Sequence, residues 1–382
     1  MKDKLKVLHY VSAFSLPSET FIYDLINNLE ENGIENYVLT HHRQLEDERP
    51  FSKVKVTSEK ESFLKKMYFR LFDRWSIRNQ KEVFNFIKEY KPDVIHAHFG
   101  PNGVKIFNLI QKYKLNIKLI VSFHGMDINV LPKQDYSYLE KLLSMNSANN
   151  TFFTSPSVFL KNKMLLLSLN NEKIKVIPNV YNERFKLFQK NNFWQHGDEL
   201  KLLNIGRFEE VKGQKYLLEA FALSLKSYQK MRLTLVGYGS LESELKNLCK
   251  KLNIENKVTF LQKVEHSKLP DIIAGHDIYI QPSIVASDGA EENLSVATIE
   301  AQVCGLPAIV SSIGGLKEIV IDNSTGKLVE EKNIEILSDA IISYINNPKD
   351  INEHSANARE KAIERFDKKI IINEMRGYYE KI

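Results

Sequence analysis

The chain reads as an α/β protein built from two doubly wound, parallel-sheet domains. Three observations lead there. Short apolar runs rich in β-branched and aromatic residues alternate with helical patterns along the whole length. The alternation comes in two sets, separated by the polar stretch 189–199. Polar and Gly-containing segments follow the runs directly, where open α/β sheets bind their ligands beyond the carboxyl ends of the strands.

In the first set the expected strands are 7–11, 36–40, 93–98, 118–123, 151–154 and 173–177; in the second they are 201–205, 232–236, 257–261, 277–281 and 307–310. The expected organisation is an N-terminal domain over 1–188, a linker over 189–199, a second domain over 200–366 and a final helical segment over 367–382. The last helices, 333–346 and 351–382, have an amphipathic pattern. A length of 382 residues accommodates two domains of ordinary size, and 43% hydrophobic with 26% charged residues describes a globular chain in water.

The opening MKDKLKVLHYVSAFSLP has basic residues before an apolar run, but the run is short and interrupted by polar residues. It reads as a first strand rather than a signal peptide. No stretch approaches the roughly 20 apolar residues of a membrane-spanning helix. Cys249 and Cys304 make no disulfide framework and suit a reducing compartment, so the expected location is cytoplasmic. Residues 1–190 hold 29 Lys and Arg against 20 Asp and Glu, whereas the remainder holds 24 against 28. A basic front half has two readings: an anionic partner such as a membrane surface or lipid phosphate, or the compositional habit of a Lys- and Asn-rich chain. No basic patch accompanies a nucleic-acid-binding module, so nucleic acid is not an expected partner.

Taken in order, the first strand leads into Ser15-Leu16-Pro17-Ser18-Glu19-Thr20-Phe21, where Ser18 or Thr20 can cap a helix over 21–30. Residues 60–80 place Phe63, Leu64, Met67, Tyr68, Leu71, Phe72 and Trp75 at three-and-four spacing, flanked by Lys65, Lys66, Arg70, Arg74 and Arg78. This pattern fits an interfacial amphipathic helix on anionic lipid. It also fits a helix that packs its stripe on the sheet and solvates its charges. His96 and His98 share one side of a strand. No carboxylate or cysteine follows at a metal-ligand spacing, so no metal is expected there. His124-Gly125 comes straight after the run 118–123, the position of a cleft residue, with a satisfied structural histidine as the other reading.

The second set opens with Gly206-Arg207-Phe208-Glu209-Glu210-Val211-Lys212-Gly213. Arg offers a planar fork and Lys a point charge for phosphate oxygens. Gly237-Tyr238-Gly239 after the run 232–236 lets backbone approach a nucleotide. Gly314-Gly315 forms a further turn, with a helix start near Leu316. The segment Asp288–Pro307 turns from a polar loop into a helix that Asn293 or Ser295 can cap and Gly305 can end. Glu292 and Glu300 lie eight residues apart, roughly 12 Å along the axis if the whole span is helical. Two such carboxylates can hold two ends of one elongated ligand, and helix-start amides favour an anion or hydroxyl-rich group.

The Glu292…Glu300 pair, Gly289, Asn293, Ala301, the Gly206-Arg207 loop with Lys212-Gly213 and the His124 segment together resemble the retaining GT-B glycosyltransferases of family 4, group 1. The Ser18-Glu19-Thr20-Phe21 segment resembles the subgroup that builds exopolysaccharide and lipopolysaccharide. The resemblance spans nearly the whole chain and is densest from 201 to 329. It implies two Rossmann-like domains facing across a cleft, with the last helix crossing back onto the first. It also implies transfer of a hexose-type sugar from a nucleotide diphosphate, UDP by family habit, to a glycan or to a polyprenyl-diphosphate-linked or lipopolysaccharide-type acceptor. On that resemblance His124, Arg207, Lys212 and Glu292 are catalytic. Gly206, Gly237, Gly239, Asn293, Leu294 and Glu300 bind the donor, with Glu300 taking the ribose hydroxyls, and Ser18, Glu19, Thr20 and His98 lie on the acceptor side. No Asp-x-Asp pair sits at a strand end to hold a divalent ion, so neither metal nor other cofactor is expected. A basic face would allow peripheral attachment at the inner membrane surface. Two other functions fit parts of the pattern: a nucleotide-sugar 2-epimerase of the same architecture, and a non-enzymatic basic scaffold at a membrane surface using residues 60–80.

Overall fold

The computed structural model describes residues 4–17, 19–57, 77–190, 194–262 and 264–382. Chain contacts divide it into two compact units. The first comprises Met1–Pro156, Leu160–Asn179 and Lys369–Ile382; the second comprises Ser157–Phe159 and Val180–Lys368.

The first unit holds a seven-stranded sheet in the order β5-β3-β1-β6-β7-β8-β9. Its strands are β1 (Lys6–Tyr10), β3 (Glu35–Thr40), β5 (Val54–Val56), β6 (Val94–His98), β7 (Lys118–Ser122), β8 (Thr151–Ser155) and β9 (Ile174–Val176). Two short strands, β2 (Ala13–Phe14) and β4 (His42–Arg43), form a separate parallel pair. Every pairing in the large sheet is parallel. Such a sheet is covered on both faces, which is why β6 is buried at all five positions and reads as a continuous rather than an alternating run.

The second unit holds a six-stranded parallel sheet in the order β12-β11-β10-β13-β14-β15. The strands are β10 (Leu200–Ile205), β11 (Met231–Val236), β12 (Val258–Leu261), β13 (Ile278–Gln281), β14 (Ala308–Ser311) and β15 (Gly326–Val329). Its core packs Leu202, Leu233, Ile278 and Ile309 from the strands against Leu217, Phe221, Ile341 and Tyr344 from helices. In each sheet the strand order reverses direction once, between β1 and β6 in the first and between β10 and β13 in the second. Loops leaving the carboxyl ends of those strands diverge, and the gap between them is where a doubly wound sheet binds its ligand.

Several expectations are corrected here. The division falls between Asn179 and Val180 rather than at 188. Tyr181 and Phe185 are buried within the second unit, and the Phe185 carbonyl lies 3.5 Å from the Cys304 Sγ. The expected linker 189–199 is not free of the domain, because Lys190 and Trp194 are buried in the second unit. The helical pattern over 351–382 splits into Pro348–Arg365 and Lys368–Lys381. The piece 369–382 belongs to the first unit, where Tyr379 Oη meets His96 Nδ1 at 2.6 Å. Strands β5 and β15 have no counterpart among the expected strands. Lys65, Lys66, Arg70, Arg74 and Trp75 lie outside the described residues, as do Ser18 and the side chain of Arg78. No helix among the described residues is long and apolar enough to cross a membrane.

Candidate active site

The second unit gathers the Arg207–Lys212 loop and the Glu292 loop at one place because they leave the two strands at its switch point. β10 ends at Ile205 and runs into Gly206-Arg207; β13 ends at Gln281 and runs into the segment carrying Glu292. Lys212 Nζ donates to Glu292 Oε2 at 2.6 Å, with the two side chains only 16% and 12% exposed. Behind the pair runs a directional hydrogen-bond chain. The Tyr279 hydroxyl donates to Gln281 Oε1 at 2.8 Å, Gln281 Nε2 donates to Ser283 Oγ at 2.8 Å, and Ser283 Oγ donates to Glu292 Oε2 at 3.1 Å. Tyr279, Gln281 and Ser283 are all fully buried. Each therefore needs its partner, and the chain holds the Glu292 carboxylate in one orientation.

Arg207 is exposed, and its carbonyl accepts from Gln214 Nε2 at 3.0 Å. Gln214 opens the helix Gln214–Ser224 and so ties the loop to it. Two glycine positions set the loop shapes. Gly314 has φ +53°, and a Cβ there would overlap the Glu292 carbonyl oxygen; Gly315 N donates to that oxygen at 3.2 Å. The glycine turn therefore packs under the loop of Glu292 and Asn293. Gly237 has φ +149°, and a Cβ there would overlap the Gly206 carbonyl. Gly239 is likewise closed in by the Phe208 backbone. Both glycines let two protein loops approach each other.

The helix after the loop is shorter than the Glu292…Glu300 spacing suggests. It spans Val296–Val303, with Ser295 as the N-cap accepting from Thr298 N at 3.3 Å. Glu292 is thus a loop residue, and only Glu300 projects from the helix. Asn293 and Leu294 are buried, and Ser157 Oγ hydrogen-bonds to Asn293 Oδ1. Glu300 is 3% exposed, and its Oε1 lies 2.8 Å from His266 Nε2.

In the first unit, His124 follows β7. Its ring lies between Phe21 and Phe99, at 4.8 and 4.6 Å between ring centres. Burial lowers its pKa to about 3, so the ring is neutral at physiological pH. Asp127 shapes the turn: its carboxylate accepts from His124 N at 3.0 Å, Gly125 N at 2.9 Å and Gly100 N at 3.0 Å. Burial pushes the Asp127 pKa up, and these amides offset part of that. The expected cap at Thr20 is also corrected: Thr20 is the first helical residue and Glu19 is the N-cap, without a cap hydrogen bond from its own side chain.

His98 is buried, and so are His9 and His96. These three bring ligand nitrogens within 4.8 Å of one another, a grouping that includes β1 and that the sequence spacing of His96 and His98 could not show. The His9 Nδ1 and His98 Nε2 atoms are 3.1 Å apart, and His9 Nε2 lies 3.0 Å from Asn36 Oδ1. His96 uses both nitrogens, with Tyr379 Oη and Ser122 Oγ each at 2.6 Å. Five of the six ring nitrogens have a hydrogen-bond partner within the protein, which describes a buried hydrogen-bond network.

Gln214, Ser283, His266 and Asp127 were not singled out from sequence. Ser283 alone carried a signal, since it follows a strand end as functional residues in this fold do.

Two family models match the chain: "Glycosyltransferase Family 4" over residues 18–184 and "Glycosyl transferases group 1" over residues 185–365. The amylovoran biosynthesis glycosyltransferase AmsK of Erwinia amylovora is 26% identical, over 77% of this chain and 72% of its own. The putative colanic acid biosynthesis glycosyltransferase WcaL of Salmonella typhimurium is 23% identical, over 96% and 97%. Among solved structures, Anabaena HepE in complex with UDP superposes with a TM-score of 0.80 at 18% identity, over 99% of this chain and 100% of the other. Sucrose-phosphate synthase from Thermosynechococcus elongatus gives 0.78 at 19%, over 99% of each chain. Two consecutive family models, two parallel doubly wound sheets and full-length structural likeness agree: this chain belongs to the family 4, group 1 glycosyltransferases of GT-B fold.

Proposed function

We propose that the enzyme moves a hexose-type sugar, with retention of anomeric configuration, from a nucleotide diphosphate to a glycan or lipid-linked acceptor in bacterial surface polysaccharide synthesis. The observation that carries the reading is the Lys212–Glu292 pair at the switch point of the second sheet, with the exposed Arg207 on the same loop as Lys212. A cation and a carboxylate held together there suit a ligand with a diphosphate at one end and a sugar at the other. UDP is the favoured nucleotide, since HepE, of the same fold, was solved with UDP. The names of AmsK and WcaL support a surface polysaccharide as product.

In this reading Arg207 and Lys212 neutralise the departing diphosphate, and Glu292 contacts the donor sugar. Asn293, Leu294 and the Gly206 backbone complete the donor site, and Glu300 accepts from the ribose hydroxyls. His124, Glu19, Thr20 and His98 belong to the unit that would take the acceptor. The acceptor oxygen bonds to the anomeric carbon as the carbon–phosphate-oxygen bond breaks on the same face. The acceptor's proton passes to the departing phosphate oxygen. Fixed cations supply the charge that a metal would otherwise supply, so activity should persist in a chelator. Residues 60–80 would bring the enzyme to an anionic membrane face.

Calorimetric titration of UDP, GDP and ADP into wild type and Glu300→Ala tests the donor site. The expected result is one diphosphate bound by wild type and weakened by about tenfold or more in the variant. No binding of any of the three overturns the reading. Anomeric NMR of the product then tests retention, and co-sedimentation with anionic vesicles tests the membrane contact.

A further inference from the structure

Glu300 is a buried carboxylate with a specific neighbour outside the family motif. His266 lies in the short turn His266–Lys268, between β12 and the helix Leu269–Ala274. Its Nε2 atom is 2.8 Å from Glu300 Oε1. The other side of the imidazole leans on Phe185, with ring centres 5.2 Å apart at 50°. Phe185 is itself 1% exposed, so this wall does not move with solvent. The ring is clamped between an aromatic face and the carboxylate, and one oxygen of Glu300 is tethered while the other keeps its acceptor capacity.

A carboxylate that must accept from a ribose hydroxyl needs a fixed rotamer. A buried glutamate has three side-chain torsions to fix, and the helix backbone restricts only the first. His266 supplies the missing restraint through a charge-assisted donor hydrogen bond. We propose that His266 is a positioning residue of the donor site, holding Glu300 in the orientation that reads the ribose hydroxyls of a nucleoside diphosphate. The inference rests on the donor-site reading above. It adds that the preference for ribo- over deoxyribonucleotides depends on a residue that acts through Glu300.

The test compares UDP with 2′-deoxy-UDP and 3′-deoxy-UDP by calorimetry on wild type, Glu300→Ala, His266→Gln and His266→Phe. Phenylalanine keeps the ring against Phe185 and donates nothing, whereas the glutamine amide keeps a donor near the Nε2 position. Both variants fill the space, so a loss of folding is not built into the comparison, and thermal unfolding checks it. Wild type is expected to bind UDP about 10- to 100-fold tighter than at least one deoxy analogue, the range for one hydrogen bond to a charged group. His266→Phe should reduce that ratio to below about threefold, and His266→Gln should restore most of it. A His266→Phe ratio equal to that of wild type, with Glu300→Ala having lost it, overturns the positioning role and leaves the donor site intact. So does a wild type that binds UDP but does not discriminate against either analogue. UDP binding unchanged in Glu300→Ala overturns the ribose reading of Glu300 itself.

Discussion

Lys212 Nζ and Glu292 Oε2 meet at 2.6 Å across 80 residues of sequence, each from a loop that leaves a central strand of the second sheet. The pair is nearly closed off from water, and Ser283 gives Glu292 a second donor on the same oxygen. A donor diphosphate would draw Lys212 toward itself and leave Glu292 to the sugar, so the pair presets both residues.

Lys212→Met should therefore lower kcat/KM by about 10²- to 10³-fold, the range for losing one preorganised group that stabilises leaving-group charge. Its effect on stability should be small by comparison. A double-mutant cycle with Glu292→Gln, read by urea unfolding, should give a coupling on the order of 1 kcal/mol. A Lys212→Met enzyme with wild-type kcat/KM would remove Lys212 from the chemistry.

The first unit buries neutral histidines, and this gives its stability a pH dependence of definite sign. Burial lowers the pKa of His9 to about 4 and that of His124 to about 3, and those of His96 and His98 fall well below the ordinary value. The Asn36 hydrogen bond and the charge of Glu30 offset only part of the shift at His9. The unfolded chain protonates these groups near pH 6.5 and the folded one does not, so the unfolded state binds more protons below that pH. Their contribution to stability is thus complete above about pH 6.5 and declines as pH falls from there toward about 4, by about 1.4 kcal/mol per pH unit for each histidine. Urea unfolding between pH 7.5 and 5 should show this decline, and His9→Asn should make it shallower by one group. A flat profile over that range would contradict it.

Lys190 and Asp277 form a buried pair in the second unit, 2.6 Å apart, with side chains 5% and 9% exposed. Lys190 Nζ also donates to the His276 carbonyl at 2.7 Å, and Asp277 Oδ2 accepts from Lys201 N at 2.7 Å. Removing one partner leaves the other charged and unpaired in the interior. Lys190→Met should cost about 3–5 kcal/mol in urea unfolding, and the double variant with Asp277→Leu should recover a good part of it. Loss below about 1 kcal/mol would mean that water reaches the pair.

Sequence periodicity carried the architecture. The eleven expected strands all occur, displaced by a residue or so at their ends, because parallel strands buried on both faces must be continuous apolar runs. That Lys212 and Glu292 come together was legible too, since both sit in loops that follow strand ends. The edge strands β5 and β15, and the break near Phe366 that separates the last two helices, were not legible.

The chain by itself determined two parallel α/β halves and the chemical types at the candidate donor site. It did so because local periodicity and strand-end position are properties of neighbouring residues. Tertiary structure alone decided the partners. His266 on Glu300 and His9 beside His98 each depend on which elements of the fold lie next to each other. A hydrogen bond depends on the final distance between two atoms, and that distance is set by sheet order and packing rather than by separation along the chain.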